Sequence, residues 1–216
     1  MQPNSYSRCS MALNPEKSRT VTMKWDLFTQ ELFRYATPYL NVRGNFIHTQ
    51  VAHGYALFLL RKEGGNSKII EPAVILHDVG WSALKPEDIK NAYGVRATGE
   101  NARKLNRVHE VEGAKIAQEI LLKLGCDALT IRKIVKIIER HDSGKNPCTR
   151  EEKVVKDADK LWRFSKIGYA HELKRQAATH ALRHAFLSKN IDNWFFTKTA
   201  KTLAEKELQE RDKERS

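Results

Sequence analysis

Apolar residues recur three and four positions apart through almost the whole chain, and this spacing constrains the fold more than any other feature. Residues at positions i, i+3, i+4 and i+7 share one face of an α-helix, so each such run predicts an amphipathic helix. Pairs of β-branched residues, such as Val154 and Val155, lie inside the helical runs and are weak evidence for strands. The sequence therefore predicts an all-α fold.

Glycine, proline and asparagine residues separate the runs and so predict where helices end. A short helical turn is expected near residues 86–91. A last helix from Trp194 is expected to continue into an exposed tail that frays, because bases and acids mix from Lys198 onward. The longer helices are predicted over residues 22–39, 44–62, 68–77, 99–124, 128–141 and 151–188, the last with a bend near 165–168.

A chain of 216 residues is long enough for one domain with short appendages. Residues 1–20 are polar and predict a flexible N-terminus, residues 21–190 predict the folded domain, and residues 191–216 predict a charged C-terminal helix or tail. No run approaches the roughly 20 apolar residues of a membrane-spanning helix. Three scattered cysteines and an N-terminus without an apolar stretch predict a cytoplasmic protein with no disulfide framework.

The chain is strongly basic, with 38 Lys and Arg residues against 26 Asp and Glu residues and a net charge of +12. Such an excess favours anionic partners, either a phosphorylated small molecule such as a nucleotide or a nucleic acid. Between Lys160 and Lys189 we count seven basic residues and one acid, Glu172. This segment is either a solvated helix face or a surface that attracts phosphate.

Four of the eight histidines lie on apolar helix faces. His48 follows the apolar stripe of its helix, His77 ends an apolar run, and His109 and His141 each share a face with isoleucines. Each buried imidazole needs a polar partner, and a shared cation would satisfy all four. His53 lies five positions after His48, about 140° around the helix at about 100° per residue, and is predicted to face solvent.

Carboxylates accompany these histidines. Asp78 follows His77 directly, and the segment VVKDADKLW supplies Asp157 and Asp159. Imidazole nitrogen with carboxylate oxygen suits Fe, Mn, Ni, Co, Zn or Mg, and residues spaced through consecutive helices can surround one point in a helical bundle. The sequence therefore predicts one or two divalent metal ions per chain.

The segments ILHDVG and KDADKL, with His48 upstream of both, resemble the HD superfamily of metal-dependent phosphohydrolases. The resemblance covers about residues 40–165 and implies an HD-domain helical bundle, here followed by a C-terminal helical extension. It implies metal ligands at His48, His77, Asp78 and Asp159. Asp159 is preferred to Asp157 because the last ligand of the family directly follows an alanine, although helical phase leaves the choice open.

A second metal is implied by the same resemblance. His109 and His141 match the extra histidines of members that hold two metals, and in this they are similar to cyclic-dinucleotide phosphodiesterases and diadenosine tetraphosphate hydrolases. These two histidines would hold a second metal or a phosphate, with Asp78 as the bridge between metals. Trp81 stands where the cyclic-dinucleotide phosphodiesterases have a lysine and where 5′-nucleotidases have a glutamate. The resemblance therefore does not assign the substrate of either group to this chain.

The resemblance implies hydrolysis of a nucleotide or a related phosphate mono- or diester by a metal-activated water molecule. Asp78 is the first expected catalytic residue. Lys160 and Arg140, which adjoin Asp159 and His141, are expected to meet negative charge in the transition state. Two alternatives stay open: an HD module that keeps its metal and binds a nucleotide or nucleic acid without turnover, and a di-iron oxygenase similar to inositol oxygenase.

Overall fold

The computed structural model describes residues 15–42, 44–92 and 99–214. Within these ranges the backbone forms ten α-helices and one short 3₁₀-helix, with no strand, and so confirms the predicted all-α fold. In chain order the helices are α1 (Pro15–Leu40), α2 (Asn45–Glu63), α3 (Ser67–Leu76), the 3₁₀-helix (Val79–Ala83), α4 (Pro86–Ala92), α5 (Gly99–Lys123), α6 (Ala128–Ile138), α7 (Arg150–Leu161), α8 (Lys166–Gln176), α9 (His180–Trp194) and α10 (Lys198–Lys213).

The predicted flexible N-terminus, residues 1–20, falls largely on residues 1–14, which lie outside the described ranges. Residues 15–20 form the first turns of α1. Helix α1 also continues through Pro38 to Leu40, because a proline inside a helix removes one backbone hydrogen bond without requiring the helix to end there. Among the described residues, no helix is both long enough and apolar enough to cross a membrane.

The long helix predicted over residues 151–188 is three helices, α7, α8 and α9. Ser165 caps α8 by accepting a hydrogen bond from the Gly168 amide, and Thr179 caps α9 by accepting one from the Leu182 amide. Ala177, with φ of +47°, ends α8 in the left-handed conformation. These short hydroxyl caps were the sequence signals that the prediction missed.

The prediction of an exposed and fraying tail is wrong for residues 198–213. Helix α10 packs against α2, α7 and α9 and buries Ala200, Ala204 and Leu208. It is also tied at its start, because the Asp157 carboxylate of α7 accepts hydrogen bonds from Thr197. The small alanines allow a close approach to the domain, which the mixed charges on the opposite face of α10 concealed in the sequence.

The packing of α3 and the 3₁₀-helix sets the position of the histidines. Every residue of α3 from Ile69 to Leu76 is buried, in contact with α1, α2, α6 and α7. The 3₁₀-helix then lies directly on α5. A Cβ atom at Gly80 would lie 2.7 Å from Gly113 Cα and closer still to the carbonyl oxygen of His109, so this contact requires glycine. The residues that precede Gly80 are thereby held against His109.

Candidate metal centre

Six buried side chains from consecutive elements of the bundle converge between α2, α3, α5, α6 and α7. Each of the six residues has at most 8% of its total surface exposed. Their ring nitrogens and carboxylate oxygens face one another, which is how neighbouring helices hold a metal in a bundle. The six are His48 in α2, His77 and Asp78 directly after α3, His109 in α5, His141 after α6, and Asp159 in α7.

The first cluster is formed by His48, His77, Asp78 and Asp159. The Nε2 atoms of His48 and His77 lie 3.0 Å apart. Oδ1 of Asp159 lies 3.2 Å from Nε2 of His48 and 3.5 Å from Nε2 of His77. Oδ2 of Asp78 lies 3.5 Å from Nε2 of His48. Donor atoms of the other three residues therefore all lie within 3.5 Å of Nε2 of His48.

The second cluster is formed by Asp78, His109 and His141. The Nε2 atoms of His109 and His141 lie 3.2 Å apart, and Oδ1 of Asp78 lies 3.6 Å from Nε2 of His141 and 3.9 Å from Nε2 of His109. Donor atoms of His48, His77 and Asp78, and likewise those of Asp78, His109 and His141, fall within 4.8 Å of one another. Asp78 belongs to both clusters, which is the position of a bridging carboxylate.

Backbone carbonyl groups fix the orientation of two of these rings. Nδ1 of His77 lies 2.7 Å from the Val74 carbonyl oxygen, and Nδ1 of His141 lies 2.7 Å from the Ile138 carbonyl oxygen. With the proton on Nδ1, the lone pair of Nε2 points into the cluster. In the metal-free protein burial acts to lower the pKa of His77, but Asp78 and Asp159 outweigh it and raise the pKa to about 9, so Nε2 of His77 carries a proton that a divalent cation bound to these nitrogen and oxygen donors would displace.

The charges of the clusters also favour a cation. Burial acts to raise the pKa of Asp78, but His77 and His141 outweigh it and hold the pKa well below its usual range. Burial acts likewise on Asp159, where Lys160 and His48 hold the pKa low. Both carboxylates are therefore ionised at neutral pH. Burial, together with His141, lowers the pKa of His109 to about 4, so this ring is neutral there.

The sequence left open whether Asp157 or Asp159 belongs to the candidate metal site, and the structure places the two side chains differently. Asp159 faces His48 and His77, whereas Asp157 lies on another face of α7. The Asp157 carboxylate accepts hydrogen bonds from the amides of Phe196 and Thr197 and from the Thr197 hydroxyl, at 2.7–2.9 Å. Asp157 therefore links α7 to the start of α10, and Asp159 is the carboxylate that faces the histidines of the first cluster.

Trp81 contacts the second cluster directly. Its ring stacks on the His109 ring with centroids 4.1 Å apart and planes 11° apart, and its indole Nε1 donates a hydrogen bond to Oδ1 of Asp78 at 3.0 Å. The Trp81 side chain is buried. Its hydrogen bond to Asp78 was missed, although the spacing of three residues from Asp78 was the available signal.

Asp142 and Glu110 support the second cluster and were also missed. Oδ2 of Asp142 lies 3.8 Å from Nε2 of His109 and 3.9 Å from Nε2 of His141. The buried Glu110 carboxylate accepts hydrogen bonds from the amides of Asp142 and Ser143, at 2.9 and 2.8 Å. It thereby holds the backbone that follows His141. The second His-Asp pair in the sequence was the signal for Asp142.

The two basic residues expected at the reaction centre differ in their placement. The Lys160 ammonium group lies 2.7 Å from both Asp159 and Asp142, at the edge of the clusters. Arg140 is directed elsewhere: its guanidinium group pairs with Glu152 at 3.0 Å and donates to the Asn146 carbonyl oxygen at 2.8 Å. Arg140 stabilises the segment before α7, so its expected catalytic role is withdrawn.

His53 does not face solvent as predicted. Nε2 of His53 lies 3.2 Å from the Glu71 carboxylate of α3, and its ring packs edge-on against Phe33 of α1. The side chain is 14% exposed. His53 does point away from His48 around α2, but α1 covers this face of α2. The periodicity of one segment does not show which helix packs beside it.

A cavity of about 710 Å³ lies beside the clusters. Asp142 and Lys160 form its inner end, because both contact the metal cluster and also line the cavity. Asp142 is the one acidic residue among the described residues that line the cavity. Basic side chains reach the cavity from α5 and from the loop after α6 as well as from α7. They include Arg103, Arg107 and Lys145, which the sequence analysis did not single out.

The basic segment 160–189 divides into two groups. Lys166, Lys174 and Lys189 are exposed, as a solvated face requires. Arg163, Arg175 and Arg183 line the cavity and surround the buried Glu172 carboxylate. Burial acts to raise the pKa of Glu172, but Arg163 and Arg175 lower it to about 2. The interpretation as a solvated face is therefore wrong for Arg163 and Arg183, whereas Arg175 is exposed and also lines the cavity.

Comparison with known proteins agrees with this geometry. The family model described as "HD domain" matches residues 46–163, more than half of the chain. The chain belongs to the HD domain family. The match begins at the start of α2 and ends just after α7, so it contains all six clustered side chains and Lys160, whereas α8, α9 and α10 follow it.

A crystal structure titled as a predicted HD superfamily hydrolase from an uncultured Thermotogales bacterium has the same fold as this HD domain protein. The TM-score is 0.58 at 17% sequence identity, over 85% of this chain and 87% of that chain. No curated protein sequence matches the chain. Membership of the HD family and the two clusters of His and Asp side chains support a protein of hydrolase type that binds a divalent metal.

Proposed function

We propose that this HD domain protein is a metal-dependent phosphohydrolase that cleaves a nucleotide or a related phosphate ester bound in the basic cavity. One observation carries the proposal: Lys160, which contacts Asp159 of the first cluster, also lines a cavity whose charged side chains are mainly Lys and Arg. The cluster suits a divalent cation, and the basic cavity suits a phosphorylated ligand.

His48, His77 and Asp78 would hold the first metal together with Asp159, which faces both histidines, and Asp78, His109 and His141 would hold the second. A divalent cation bound there would lower the pKa of a water molecule and offset charge on a phosphoryl oxygen. The protein supplies a fixed donor set, because carbonyl groups orient two of the rings and Glu110 holds the backbone after His141.

Lys160 is the residue of this chain best placed to meet negative charge on the phosphoryl group. Its ammonium group is held between Asp159 and Asp142 and also lines the cavity. These two carboxylates raise its pKa above the usual range of lysine even though burial acts to lower it, so the group stays cationic. A cation fixed in place costs little reorganisation when charge develops beside it.

Aromatic rings favour a nucleotide over a simple phosphate ester. Phe186 and Trp194 line the cavity and contact each other with ring centroids 5.6 Å apart. Phe186 is 45% exposed. An exposed aromatic ring beside cationic side chains provides a surface on which a nucleobase can stack while its phosphates meet the basic groups. This feature supports nucleotides as the first substrates to test.

The proposal is tested by chromatographic separation of the nucleotide products formed from mono-, tri-, cyclic and dinucleoside polyphosphates with Mn, Ni, Co, Fe or Mg. We expect metal-dependent turnover of at least one nucleotide, abolished by Asp159→Ala and retained by the matched control Asp192→Ala, whose side chain is 88% exposed. Binding of a nucleotide without turnover in any metal would instead favour a binding module. Oxygen consumption with an iron requirement would favour the oxygenase.

A further inference from the structure

We infer that the outer part of the cavity is a second phosphate-binding site, built from Arg163, Arg175 and Arg183, so that the ligand carries at least two phosphate groups. The inference rests on the proposed function and deepens it. The first phosphate would lie at the metal clusters beside Lys160, and the second would lie at the three arginines.

The arginines are gathered around one carboxylate. Oε2 of Glu172 lies 2.5 Å from Nη2 of Arg175 and 4.0 Å from Nη1 of Arg183, and Oε1 lies 3.9 Å from Nη1 of Arg163. Glu172 is 1% exposed. Three guanidinium groups, always protonated in proteins, are thus gathered around one buried carboxylate at the wall of the cavity.

The groups differ in their access to a ligand. The side chains of Arg163 and Arg175 are 19% and 26% exposed and line the cavity. Arg183 is 2% exposed and anchors the group from α9. Guanidinium groups bind phosphate through paired N–H donors, and a buried carboxylate that holds them in advance reduces the cost of ordering them.

The size of the cavity suits a ligand larger than orthophosphate. About 710 Å³ falls within the range of roughly 300–1,000 Å³ typical of pockets that enclose a whole organic ligand. The arginines come from the end of α7 onward, at or after the last residue of the HD family match. The C-terminal helices therefore add this site to the metal-binding bundle.

The experiment measures binding of tripolyphosphate and of orthophosphate to metal-free protein by calorimetry, so that neither turnover nor a bound metal contributes. The test variants are Arg175→Gln and Arg163→Gln. The matched control is Lys174→Gln, which removes the same charge from an exposed neighbour in α8 that does not line the cavity. Circular dichroism melting checks that each variant is folded.

We expect tripolyphosphate to bind more tightly than orthophosphate, and each arginine variant to raise its Kd about tenfold, as expected for loss of a charge-assisted hydrogen bond. Lys174→Gln should change the Kd less than about twofold, because its charge is screened by solvent. Equal Kd values in Arg175→Gln and Lys174→Gln, or equal affinity for the two anions, would overturn the second site.

The two proposals fail separately. Metal-dependent turnover of a nucleotide, with tripolyphosphate binding unchanged by both arginine variants, would remove the second site and leave the phosphohydrolase. Tight binding of tripolyphosphate that depends on Arg163 and Arg175, without turnover of any nucleotide in any metal, would remove the hydrolase activity and leave the site.

Discussion

The indole nitrogen of Trp81 donates a hydrogen bond of 3.0 Å to Oδ1 of Asp78, the carboxylate that belongs to both clusters. The same indole ring stacks on His109. One side chain therefore orients the carboxylate between the clusters and also confines a histidine of the second cluster. Such supporting contacts fix the geometry of metal-binding side chains and raise metal affinity.

Replacing Trp81 with Phe should keep an aromatic ring against His109 but remove the hydrogen bond to Asp78. We expect metal affinity to fall about tenfold, the low end of what loss of such a supporting contact costs. Competition with a fluorescent chelator measures this change. Trp194→Phe is the control, because Trp194 lines the cavity away from Asp78. Identical metal affinities in the two variants would contradict the role assigned to Trp81.

Asp157 and Asp159 offer a test within one helix. Asp159→Ala should remove metal binding at the first cluster, since its carboxylate faces His48 and His77. Asp157→Ala should keep the metal and lower the free energy of unfolding by about 2 kcal/mol, because hydrogen bonds to Phe196 and Thr197 are lost. Urea denaturation and metal analysis of both variants provide the measurements, and metal loss in the Asp157 variant would reverse the assignment.

Removing His109 or His141 should empty the second cluster alone. Each alanine variant is expected to bind one metal ion where the parent binds two, since the clusters share Asp78 but no histidine. His184→Ala is the control. Nε2 of His184 lies 3.1 Å from Asp212, outside both clusters, and its removal should leave the metal content of the centre unchanged. Full metal content in both test variants would assign His109 and His141 to core packing.

The free energy of unfolding should depend on pH in the acid range because of Glu172. Its pKa is lowered to about 2 in the folded state from the ordinary 4.5, so its ionised form stabilises the fold above pH 4.5, and that stabilisation is lost as pH falls toward 2. The pKa difference corresponds to about 3 kcal/mol. Urea denaturation should show Glu172→Gln less stable than the parent at pH 7, with the difference shrinking below pH 4.5. A difference independent of pH would contradict this account.

The all-α fold and the convergence of His48, His77, His109 and His141 followed from the sequence, because each signal is local. Apolar spacing reports which face of a helix is buried, and a histidine on such a face reports a need for a partner. The HD dipeptide and its flanking residues then resembled a known family, whose model covers the same helices.

Features that depend on how helices meet were missed. His53 was predicted to face solvent, but α1 covers its side chain. The C-terminal tail was predicted to fray, but α10 packs on α7. Arg140 was chosen for adjacency to His141, yet its guanidinium group points to Glu152. Arg103 and Lys145 line the cavity from distant segments, and no periodicity within one helix connects them with Arg175.

The metal content of the parent protein and of Asp78→Ala, measured at saturation by elemental analysis, tests the central claim most directly. Because Asp78 is the carboxylate that both clusters share, the account predicts two bound metal ions per chain in the parent and none in the variant, with helical circular dichroism retained. Unchanged metal content in a folded Asp78→Ala variant would contradict it.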